Sequence, residues 1–215
     1  MKKITIAFLA GCFVLVAGCW LPGVRGNGHI KSDERKIGAF ANIDARGAFL
    51  INWQKGAPSL RITTDENLFP YIESEISENT LHLRNREQIR PSHRITVNVA
   101  SPTREAARIT GAVKLVASQL TGPQFAVEGT GASTMSLDGS IGRLLADMTG
   151  ASDLKAAALQ TKTAEISIQG AGDAEVAVAE KLKVAIAGAG KVIYSGNPPM
   201  IEKHISGAGS IKPKD

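Results

Sequence analysis

Cysteine is nearly absent from this chain of 215 residues: there are two, Cys12 and Cys19, both close to the N-terminus. Beyond residue 19 the chain can therefore form no disulfide and no thiolate metal site. Aromatic residues make up 5%, too few to favour a recognition surface of stacked rings. No charge of one sign dominates. The net charge is +5, and residues 1–18, with two Lys and no acid, account for the difference between that and +3. So mild an excess is no nucleic-acid signature. His29, His82, His93 and His204 are scattered, and none has a His or Cys at metal-ligand spacing. From Ile37 onward helical periodicity is almost missing. What the chain does have is 43% hydrophobic residues and 22 glycines, the composition of a folded, turn-rich domain.

The N-terminus carries an address. Lys2 and Lys3 precede an uncharged, mostly apolar run from Ile4 to Gly18. A spanning helix needs roughly twenty residues, so this run fits a secretory h-region over residues 1–18. It ends in Val16-Ala17-Gly18-Cys19, which resembles the lipobox of bacterial lipoproteins. That resemblance implies cleavage before Cys19 and a diacylglycerol on its thiol, with attachment to a membrane through lipid. An earlier box, Leu9-Ala10-Gly11-Cys12, would leave an h-region of only Ile4 to Ala10, so Cys19 is preferred. Position 20 is Trp rather than the Asp that retains many such lipoproteins in the inner membrane, which points to the outer membrane. Residues 19–36 hold Gly, Pro and charge without a period and read as a tether.

The remainder reads as strands. Glu165-Ile166-Ser167-Ile168-Gln169, Glu175-Val176-Ala177-Val178 and Lys183-Val184-Ala185-Ile186-Ala187 alternate an apolar face with a polar or small one. Leu81-His82-Leu83 and Arg94–Val99 do the same, and Thr103 to Ala107 has room for one helical turn. The second half repeats a short apolar strand running into a glycine, at Gly111, Gly129, Gly150, Gly170, Gly188 and Gly207, with spacings of 18, 21, 20, 18 and 19. Three of these corners extend to Gly-Ala-Gly. A fixed period near twenty residues signals a solenoid. At roughly 3.3 Å per residue, such a coil has a perimeter of about 65 Å and stacks on its neighbour in parallel at about 4.8 Å. The fold expected is all-β: a parallel β-helix, or β-solenoid, with coils of about 18–21 residues, preceded by an N-terminal β-strand region.

With Phe40–Phe49, Asp65-Glu66-Asn67-Leu68, Val192–Pro199 and the closing Ile205–Ile211, the pattern resembles the auto-transporter adhesin head GIN domain, a domain of unknown function common in bacterial envelope lipoproteins. The resemblance covers residues 37–212. It implies a β-helix-like fold and residence in the cell envelope, and it supplies no catalytic residues.

Catalytic motifs fail on inspection. Gly188-Ala189-Gly190-Lys191 has Ala185 and Val192 where a phosphate loop needs Gly and Ser or Thr. Gly170-Ala171-Gly172 lacks the last glycine of a dinucleotide fingerprint, and Asp138 occupies the first glycine position of a nucleophile elbow. Asp147, Asp153, Glu165 and Glu175 are the acids a carbohydrate-active enzyme on this fold, a polysaccharide lyase or hydrolase, would have to gather. They read equally as the polar face of strands. The expectation is a non-catalytic structural or adhesin-type protein, with no cofactor and no metal. One charge cluster, Arg84, Arg86, Arg90 and Arg94 with His82 and His93, is suited to phosphate geometry. It is the candidate patch for lipopolysaccharide or another anionic envelope polymer. Other partners consistent with the sequence are an envelope glycan or a second envelope protein.

Overall fold

The computed structural model describes residues 23–214. The expected signal segment and lipobox, with Cys19, lie outside these residues. Almost the whole domain is strand, and parallel strands stack into a β-solenoid of about five turns. The all-β solenoid expected from the sequence is therefore the observed fold class.

Each turn pivots on a glycine. Residues 126–131, 145–150, 165–170 and 183–188 lie side by side in parallel, with Gly131, Gly150, Gly170 and Gly188 in register. Gly111 continues this ladder at one end and Gly207 at the other. The corner in the second coil is thus Gly131, not the Gly129 picked out from the sequence. Gly129 pairs with Ile109 and Met148 in the inner row, where its missing side chain makes space for Met135. The corner glycines have φ between +94° and +134° from Gly111 to Gly188, and each packs against the backbone of the corner below. Past the corner the strands 114–117, 134–137, 153–156 and 173–177 form a second stacked face.

Inward residues stack on their counterparts. One row runs Ile43, Ala107, Val127, Ala146, Ile166, Val184, and all six are buried. The few large aromatics are concentrated at the N-terminal end. Phe40 stacks on Trp53 at 6.2 Å, and Trp53 meets Phe125 at 6.0 Å. The Trp53 Nε1–H donates to Ser101 Oγ at 2.8 Å, so its one polar atom is satisfied inside the core.

The N-terminal half is woven into the solenoid rather than placed before it. Asn42–Gly47 lies in parallel between Ala106–Gly111 and Thr80–Asn85. Phe49–Lys55 lies between residues 114–117 and Ile95–Ser101. Antiparallel strands then close this end: Ser59–Asp65 on Ile95–Ser101, Ile30–Arg35 on Ser59–Asp65, and Ile72–Ser77 on Thr80–Asn85. From Val24 on, the segment expected as a tether is therefore part of the domain. Val24–Arg25 pairs with Ile89–Arg90, and Ile30–Arg35 is an edge strand. Its charge pattern concealed this, because an edge strand turns only one side to its neighbour and keeps charged residues on the other.

The helical turn expected at Thr103–Ala107 does not form. Glu105 is already in the ladder, donating to the Ala41 carbonyl and accepting from the Ala126 N–H. The one helical segment among the described residues is the 3-10 turn Glu66–Tyr71.

Candidate interaction surface

Three features of the outer surface are candidates. The first is the arginine cluster. Arg84 and Arg86 come together around a single carboxylate: their Nε groups donate to the two oxygens of Glu73, each at 2.5 Å. These bonds, Arg84 first and then Arg86, hold the Glu73 carboxyl below its usual range and raise Arg84 above its own. Arg90 sits elsewhere, in the two-stranded pairing with Val24–Arg25, in register with Arg90's neighbour strand partner Arg25. Arg94 is exposed just before Ile95–Ser101, and the His93 ring shares a hydrogen bond with the Ser92 hydroxyl. His82 lies 3.5 Å from Asp44. His82 and Arg84 belong to the main sheet and Arg90 to the two-stranded one, while Arg86, His93 and Arg94 lie in the segments between strands.

The second feature is a ridge along the glycine corners. The residue before each corner is outward, and three successive coils place a threonine there: Thr110, Thr130 and Thr149 are in register. Gln169, Ala187 and Ser206 prolong the row. On the other flank of the corner Ala112, Ala132, Ala151, Ala171 and Ala189 are exposed, and each N–H donates to the corner glycine carbonyl of the previous coil. The result is a ridge that repeats once per coil in fixed register. Its signal, the triplet Thr-Gly-Ala at residues 110, 130 and 149, is legible only when the repeat is phased on Gly131.

The third feature is a groove of about 840 Å3 across the outer face of the N-terminal coils, bordered by residues 34–37, 52, 54, 58–61 and 98–100. Asn52 and Asn98 stand side by side in it.

Of the four acids, Glu165 is held in ion pairs. Glu165 receives Lys183 at 2.6 Å and Arg143 at 3.1 Å. The Lys183 bond is the main cause of its lowered pKa, with Arg143 adding to it. A general acid needs the opposite shift. Asp147 is on the same face as Glu165 but in register with Ser167, and Asp153 and Glu175 belong to the face beyond the corner.

The fold recurs in solved structures. An adhesin-like protein from Bacteroides fragilis, described as a putative adhesin, is 21% identical, with a TM-score of 0.74 over 89% of this chain and 100% of its own. A protein from Parabacteroides distasonis described as a putative lipid binding protein is 22% identical, with a TM-score of 0.59 over 90% and 100%. A putative adhesin from Parabacteroides merdae is 18% identical, with a TM-score of 0.56 over 90% and 99%. At these identities the likeness is one of fold. No curated protein matches the chain in sequence. Residues 39–198 match the family described as "putative auto-transporter adhesin, head GIN domain", and the chain belongs to that family.

Proposed function

We propose that this protein is a non-catalytic, adhesin-type module of the bacterial cell envelope, held to the outer membrane by lipid on Cys19, that presents rigid solenoid faces to an envelope partner. The observation that carries the reading is the in-register ridge of Thr110, Thr130 and Thr149 with its flanking alanines. A surface locked by backbone ladders loses little conformational freedom when a partner docks on it. Membership of an adhesin-type family supports the same reading. The paired state of Glu165 supports a scaffold rather than a reaction centre.

The test has two arms. Wild-type protein should pellet with membranes and carry acyl groups by intact mass, and Cys19→Ser should appear in the soluble fraction. Purified wild type should bind isolated outer-membrane fragments or sacculi and show no turnover of polysaccharide, ester or peptide substrates. A turnover that disappears in Glu165→Gln or Asp147→Asn would replace this reading with an enzymatic one.

A further inference from the structure

The groove is a built array. Four strands lie side by side: Ile30–Arg35, Ser59–Asp65, Ile95–Ser101 and Phe49–Lys55. Their register sets Glu34 opposite Arg61, Arg61 opposite Asn98, and Asn98 opposite Asn52. Strand neighbours are about 4.8 Å apart, so these four side chains form one straight row. The alternation that turns Leu60, Ile62, Val97, Val99, Ile51 and Trp53 inward turns this row outward.

The row is internally matched in charge and open in hydrogen bonding. Arg61 directs Nε and Nη2 to one oxygen of Glu34, at 3.0 and 2.5 Å, so the two charges largely cancel. Asn52 Nδ2 donates to Asn98 Oδ1 at 2.9 Å. That bond orients both amides and leaves the Asn52 carbonyl oxygen as an acceptor and the Asn98 amide protons as donors. Beside the row, the Ser32 and Thr63 hydroxyls are paired at 2.8 Å, and the exposed Gln54 adds a third amide.

This chemistry selects a ligand class. No aromatic side chain borders the groove, so a base or other flat ring has nothing to stack on. Of the three cations bordering the groove, Arg61 is paired with Glu34 and Arg35 with Asp33, so Lys36 is the charge left to an anionic polymer, which gains little from it. The three strands that carry Arg61, Asn98 and Asn52 have both edges paired, so a peptide lying over these residues cannot join the sheet. A hydroxyl both donates and accepts. A chain of hydroxyls laid across the strands would therefore meet amide donors and acceptors at regular intervals.

We infer that the row Arg61–Asn98–Asn52, with Gln54 beside it, binds a neutral glycan chain. The inference rests on the adhesin-type reading and assigns that reading a site. The test uses the full chain purified in detergent, run in native gels cast with neutral polysaccharides: a β-1,4-glucan ether, a β-1,3-glucan and a mannan. At least one should retard wild type. The Asn52→Ala/Asn98→Ala double variant, shown to melt with wild type, should lose retardation about tenfold or more, as expected for two lost hydrogen bonds. Arg84→Ser/Arg86→Ser should be retarded like wild type, and 0.5 M salt should change little.

Retardation by none of the three polymers, equal retardation of the Asn double variant, or loss of retardation in salt would overturn the site. A parallel pull-down on outer-membrane fragments separates the two levels. Undiminished fragment binding by the Asn double variant would overturn the groove and leave the adhesin-type reading standing. Failure of wild type to bind fragments would remove that reading as well.

Discussion

A buried carboxylate fastens the N-terminal segment to the domain. Asp65 is fully buried, and accepts from the Gly28 N–H at 2.6 Å, the Ser92 hydroxyl at 2.7 Å and the Ser92 N–H at 2.8 Å. Burial works to raise its pKa, but these hydrogen bonds, Ser92 foremost, outweigh it and hold the carboxyl below its ordinary value. A depressed carboxylate contributes its stability above the unfolded pKa, about 3.9, and loses it as pH falls through the folded value. Urea midpoints should therefore drop on acidification below about pH 4, and Asp65→Asn should be less stable at pH 7 with a shallower acid dependence. Equal pH profiles for the two proteins would dismiss Asp65 as the cause. Glycine makes an equally local prediction. Gly150 has φ +94°, and an added Cβ would sit 2.7 Å from the Gly131 carbonyl oxygen. Gly122 has φ +139° but open space around it. Left-handed backbone costs about 1–2 kcal/mol with a side chain. Gly122→Ala should cost about that much and Gly150→Ala clearly more, since the coil below must also move. Thermal unfolding of the pair measures the difference.

At the scale of the strand, the same inward position serves opposite ends in different coils. Val184 is buried in the inner row, and its counterpart in the next coil is Lys203. Met200–Gly207 is the last strand of its face, largely exposed, with Met200 and Ile205 uncovered. A charge at an inward position of an edge strand blocks further stacking, because a new coil would have to bury it. Val184→Lys should therefore be severely destabilising, about 3 kcal/mol or more if the ammonium stays buried without a partner. Lys203→Val should leave folding intact and promote association, visible as a concentration-dependent rise in mass by light scattering. A monomeric Lys203→Val protein would show that something other than Lys203 protects this edge. The strand period and the glycine corners were readable in the sequence because each coil repeats the same demand on the same position. The phase was harder. Gly129 and Gly131 are two residues apart, and only pairing with Gly111 and Gly150 decides which one turns the corner.

For the whole molecule, sequence order and spatial order part company at the N-terminal end. Residues 42–55 enter the solenoid between elements that follow them in the chain, and no periodicity announces such an insertion. The amide row is illegible in the sequence for the same reason, since Asn52 and Asn98 are 46 residues apart and meet only through this interleaving. The cap that closes this end is likewise built from a stretch that reads as linker. Arg35 in that stretch donates to the Phe69 and Ile72 carbonyls and the Ser74 hydroxyl, tying the edge strand to the 3-10 turn. Asn67 holds the Arg25 carbonyl and the Asn27 N–H. If residues 24–35 were a tether, a chain starting at residue 37 would fold as well as one starting at residue 23. The contacts require the opposite. Starting at 37 uncovers the edge of Ser59–Asp65 and leaves the Arg35 and Gly28 partners unsatisfied, with an open strand able to pair with other chains. The shorter chain should give less soluble protein and a lower urea midpoint, while the chain from residue 23 should unfold as a single cooperative unit. Equal midpoints for the two would return residues 24–35 to the role of linker.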